Sequence, residues 1–76
     1  MIMVADTWSA QMDSAKWKWF KTCNCGGVLK HKYRNVTNAQ LELQIMPNRG
    51  KFNLFSGNLM LAGDLLTKLK QTIETL

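Results

Sequence analysis

The sequence predicts an α+β fold, a five-strand antiparallel β-meander packed against one C-terminal α-helix, with a short N-terminal helix or arm ahead of it. Three observations carry this. Between residue 16 and residue 62, runs rich in Trp, Phe, Val, Leu and Tyr alternate with polar side chains. Breaks containing Gly, Asn or Pro at residues 24–27, 47–50 and 56–58 cut those runs into short lengths. Finally, Leu65, Leu69, Ile73 and Leu76 recur at helical spacing. The organisation that follows is an arm over residues 1–15 and a single small domain over residues 16–76.

The first segment aligns Val4, Trp8 and Met12 at i, i+4 and i+8, along one side of a short helix. A flexible arm or an added edge strand fits the same residues, since termini are poorly ordered unless docked.

Residues 16–24 and 28–35 form the first hairpin. Gly26 and Gly27 occupy the centre of a primed turn, where positive φ is required. Counting outward from that turn pairs Phe20 with Tyr33 and Thr22 with His31 on one face. On the other it pairs Trp19 with Arg34, Lys21 with Lys32 and Cys23 with Lys30. A one-residue slip would exchange the faces and bury the tryptophans instead.

A second hairpin joins strands 40–46 and 51–56. Leu41, Leu43 and Ile45 alternate with Glu42, Gln44 and Met46, and Pro47 and Gly50 supply the fixed and left-handed φ values of the turn. Ser56, Gly57 and Asn58 then turn the chain into a fifth strand near 58–62. The helix runs from about residue 64 to residue 76, with Asp64 as its N-cap. Its apolar stripe covers one sheet face, so the expected core is Phe20, Leu29, Tyr33, Leu41, Leu43, Ile45, Phe52, Leu54, Leu61, Leu65, Leu69 and Ile73.

Length and composition bound the function. The 76 residues, 46% hydrophobic, suffice for one domain near the lower size limit for a self-sufficient core. No apolar run reaches the length of a membrane span and the N-terminus lacks a signal-peptide pattern, so the expectation is a soluble cytoplasmic protein without a membrane partner. Ten Lys and Arg stand against five Asp and Glu, for a net charge of +5. The excess sits in the middle: from Lys16 to Lys51 eight cations face the single acid Glu42. A charge of this kind favours an anionic partner, although lysines also keep exposed strands soluble.

Catalysis and metal binding are not expected. A nucleophile needs a positioned base, and the chain offers one histidine, few carboxylates and no oxyanion device. Cys23, Cys25 and His31 are too few for a structural zinc site unless a second subunit supplies a fourth ligand. The two cysteines are expected to be reduced, because a bridge between alternate strand residues departs from the usual geometry. No cofactor motif is present, and Gly26–Gly27 lacks the flanking pattern of a phosphate-binding loop.

The constellation with binding chemistry is Trp17 and Trp19 interleaved with Lys21, Lys30, Lys32 and Arg34. Aromatic faces stack on unpaired bases while cations follow the phosphates, so this hairpin face suits single-stranded nucleic acid. Against it stands the tendency of large aromatics to be core in a small domain. The alternative is a protein–protein interaction module, a homodimer, a subunit of a larger assembly or a small inhibitor of another protein, in which Trp and Met residues dock on the partner.

Overall fold

The computed structural model describes residues 12–76 and contains the expected meander. Strands β1 (Trp17–Cys25), β2 (Val28–Asn35), β3 (Leu41–Met46), β4 (Lys51–Ser56) and β5 (Leu59–Leu65) lie in the sheet in chain order, every neighbouring pair antiparallel. A single 3-10 turn, Leu66–Lys68, leads into helix α1 (Leu69–Glu74). Of the expected N-terminal stripe, Val4 and Trp8 lie outside the described residues. Met12 packs against the core, and a turn tied by the amides of Lys16 and Trp17 to the Asp13 carbonyl delivers the chain to β1.

The turns follow from their glycines. Gly26 and Gly27 have φ of 61° and 81°, the doubly positive pair that lets a two-residue loop follow the right-handed twist of its strands. Pro47–Arg49 forms a 3-10 turn that ends on Gly50 at φ 64°, ψ 30°.

The core lies on one sheet face. Leu43 and Ile45 of β3 pair with Leu54 and Phe52 of β4, and all four are buried against Leu66, Leu69 and Trp17. Alternation puts Tyr33, opposite Leu43, on this same face. Met46, one residue beyond Ile45, is buried on the other face and outside that cluster.

Four expectations are corrected. The first is the hairpin register. From the turn back to Lys21 the ladder is as counted, but a bulge at Phe20 shifts it by one residue. Trp19 therefore opposes Tyr33 and not Arg34, Trp17 opposes Asn35, and Phe20 has no cross-strand partner. The second is the core. Phe20, Leu61 and Leu65 are exposed, whereas Trp17, Met46 and Leu66 are buried. The third is the start of the helix. β5 runs three residues further than expected, so Asp64 belongs to the strand and its Oδ1 accepts a hydrogen bond from the Leu65 amide rather than capping a helix. The Leu66 amide donates to the Gly50 carbonyl at 2.8 Å, which holds the chain to the sheet until the turn begins.

The fourth concerns the cysteines, which are joined in a Cys23–Cys25 disulfide. Residues two apart in a strand project from the same face. Their Cα atoms are 5.6 Å apart, inside the span that disulfides bridge, so alternation along a strand does not forbid the bond.

Candidate nucleic-acid interface

The bulge decides which side chains share a face. On the turn side of it, Lys21 and Cys23 point away from the helix, with Lys30 and Lys32 across the ladder. On the far side, Lys18 opposes Arg34 on that same helix-free face. Between the two rows, Phe20 projects from the bulge, and the Arg34 guanidinium lies over its ring at 4.2 Å from the centroid. The helix-free face of the hairpin thus carries Lys18, Lys21, Lys30, Lys32 and Arg34 around one aromatic ring.

The tryptophans are elsewhere. Trp17 is 5% exposed, a core side chain covered by the C-terminal segment, and no base can reach it to stack. Trp19 is 57% exposed but lies on the helix side, opposite Tyr33. Its indole N–H donates to Thr22 Oγ1 at 2.8 Å, and that hydroxyl lies 3.0 Å from Nδ1 of His31. Of the six residues the sequence singles out, the structure brings together Lys21, Lys30, Lys32 and Arg34 and separates Trp17 and Trp19 from them.

Sequence reasoning missed Lys18 and Phe20. Lys18 and Lys21 are three positions apart, so strict alternation assigns them to opposite faces. The pairing of Lys18 with Arg34 depends wholly on the extra residue. No compositional mark such as Gly or Pro announces a bulge at Phe20.

The electrostatics of the face are one-sided. Two cross-strand pairs, Lys18–Arg34 and Lys21–Lys32, set like charges directly opposite each other, an arrangement that destabilises a ladder. Glu42, across from Arg34 on β3, approaches it at 3.9 Å and is also bound by the Gln44 side-chain amide at 2.7 Å. Among the described residues no ion pair joins Lys18, Lys21, Lys30 or Lys32 to an acid. On the helix side, burial raises the Tyr33 phenol above its ordinary value of 10.0.

Among the described residues no cluster of three or more His, Cys, Asp and Glu side chains is present. The trio considered for zinc is divided by the sheet, since His31 opposes Thr22 on the helix side while Cys23 and Cys25 point the other way. No described helix is long and apolar enough to cross a membrane.

No protein-family model, curated protein sequence or solved structure matches this chain.

Proposed function

We propose that this protein is a small single-stranded nucleic-acid-binding module that works through the helix-free face of its first hairpin. The observation that carries the reading is the pair of like-charge rows, Lys18–Arg34 and Lys21–Lys32, flanking Phe20. A 76-residue domain has little stability to spare, and directly opposed cations reduce it. A polyanion lying across the rows removes that repulsion. The cations of β2 repeat every second residue, about 6.7 Å along the strand, which suits a regularly charged backbone. Phe20 and the Arg34 plane stacked on it offer a flat surface for an unpaired base.

The test is fluorescence anisotropy of a labelled single-stranded oligonucleotide titrated with the protein at several salt concentrations. Binding at low salt with a logarithmic salt slope of about −3 supports the reading, because each phosphate neutralised on a single strand contributes about −0.7. No binding at low salt overturns it.

A second reading rests on the opposite edge of the sheet. β5 is an edge strand whose Leu59, Met60, Leu61 and Leu65 are all about half exposed or more, with Asp64 its one charge. An apolar edge of this kind pairs with another strand, so the protein-interaction reading places a second copy or another protein there. Sedimentation of the chain, with Met60→Lys as the control that breaks the edge, distinguishes it: a dimer that this substitution dissociates favours the second reading.

A further inference from the structure

The Cys23–Cys25 disulfide closes a ring around one residue, Asn24, at the tip of a hairpin whose β1 strand forms a sheet edge. A bridge constrains the unfolded chain in proportion to the logarithm of the loop it closes, so this one lies at the weakest end of that dependence. Neither cysteine belongs to the core cluster, and Cys25 is exposed while Cys23 is half-buried. The bond therefore does little for the fold, and it stands where another molecule's thiol can reach it. Its surroundings are cationic. Lys30 is directly across the ladder from Cys23, and Lys21 is two residues before it on the same face.

We propose that Cys23–Cys25 is a thiol–disulfide exchange site that oxidises the paired thiols of a partner peptide. A thiolate of the peptide attacks Sγ of Cys25, the more exposed of the two residues, and forms a mixed disulfide. The electron pair of the broken bond goes to Sγ of Cys23, where the charge is met by the Lys30 and Lys21 ammonium groups. A cation beside the departing sulfur favours its thiolate, and a better-stabilised thiolate leaves faster. The second thiol of the peptide, after losing its proton to solvent, attacks the peptide sulfur of the mixed disulfide. Cys25 leaves as a thiolate. The peptide has lost two electrons and, to solvent, two protons, and has gained an S–S bond, while the chain has gained two electrons and, once both thiolates take a proton from solvent, holds two thiols. Oxidised glutathione, attacked by the Cys25 thiolate, returns the chain to its starting form by the reverse sequence.

This activity is independent of the nucleic-acid reading and is measured without any oligonucleotide. The full chain, oxidised, is mixed with a reduced synthetic peptide carrying two cysteines, quenched with acid at intervals, alkylated and read by mass spectrometry. One peptide disulfide should form per chain, with an intermediate mapped to Cys25. The rate should exceed that of oxidised glutathione with the same peptide by about tenfold. Lys30→Glu, checked by circular dichroism to be folded, should slow the reaction several-fold, and Lys30→Arg should restore it. A bridge that stays closed in the presence of the peptide, an intermediate mapped only to Cys23, or an unchanged rate in Lys30→Glu would each overturn the proposal. Oligonucleotide binding would stand or fall separately.

Discussion

Trp19 lies opposite Tyr33, while two residues further along β1 Lys21 lies opposite Lys32, the next residue back along β2. Phe20 is the residue in excess, and it divides β1 into two halves with different obligations. Trp17 serves the core from one half, and Cys23 and Cys25 occupy the exposed tip of the other.

The burial of Trp17 and the exposure of Phe20 give a direct contrast in stability. Trp17→Ala should cost about 3–5 kcal/mol, and Leu43→Ala about 2–5 kcal/mol, since each removes buried apolar volume from one cluster. Phe20→Ala loses a surface stack on Arg34 and should cost about 1 kcal/mol or less. Urea denaturation of the three variants checks the order, and a Phe20→Ala loss as large as that of Trp17→Ala would contradict the bulge.

Lys21→Glu should separate stability from binding. It converts the Lys21–Lys32 pair from like to opposite charge, and such cross-strand changes are worth about 0.2–1 kcal/mol in favour of the fold. The same substitution removes a cation from the proposed interface and adds an acid, so oligonucleotide affinity should fall. Lys32→Ala should reduce the salt slope by about 0.7, and Trp19→Ala, on the other face, should leave it unaltered. A variant in which stability and affinity fall together would mean that the lysine has a structural partner instead.

Gly50 should resist replacement for a backbone reason alone. Its φ of 64° lies in the left-handed region, and an added Cβ would meet no atom within 4 Å. Gly50→Ala should therefore cost about 1–2 kcal/mol without any clash, and Gly50→Asn should cost less, because Asn tolerates this conformation better. The midpoints of chemical denaturation give the comparison.

The chain has one tyrosine, so an alkaline absorbance titration reports Tyr33 directly. Burial holds its phenol above the ordinary value of 10.0 in the folded state, which means that the folded chain keeps a proton the unfolded chain has already lost. The contribution is fully present below the unfolded value and is lost as pH rises through the folded one. The tyrosinate band should appear later in native protein than in urea-unfolded protein, and stability should decline across that alkaline window. Coincident titration curves would contradict the burial.

The strands and turns were legible because glycine and alternation act locally. Gly26, Gly27 and Gly50 each stand where the backbone takes positive φ, and Leu43, Ile45, Phe52 and Leu54 face the core as period two requires. The helix start was misread for a physical reason. Leu65 and Leu66 are adjacent apolar residues, and Leu65, Leu69 and Ile73 match helical spacing as well as Leu66, Leu69 and Ile73 do. The contest is settled by the Leu66 amide bonding to Gly50, a contact between segments that no local pattern contains. The proposed interface was half legible for a similar reason. Its cations are evident in the composition, but which aromatic joins them depends on one extra residue whose only mark is the register of its neighbours.

The order of the strands has a consequence for how the chain acquires its structure during synthesis. Every ladder joins sequence neighbours, so each strand can add to the last as it leaves the ribosome, with no wait for a distant partner. The lid on the core behaves oppositely. Leu66 and Leu69 follow all five strands, yet the cluster they complete reaches back to Trp17. From the completion of β4 until Leu66 and Leu69 follow, the nascent sheet therefore displays Leu43, Ile45, Phe52 and Leu54 uncovered. A chain of which only the residues up to 65 have left the ribosome holds a finished ladder with an open apolar face, the kind of surface that chaperones and aggregation compete for.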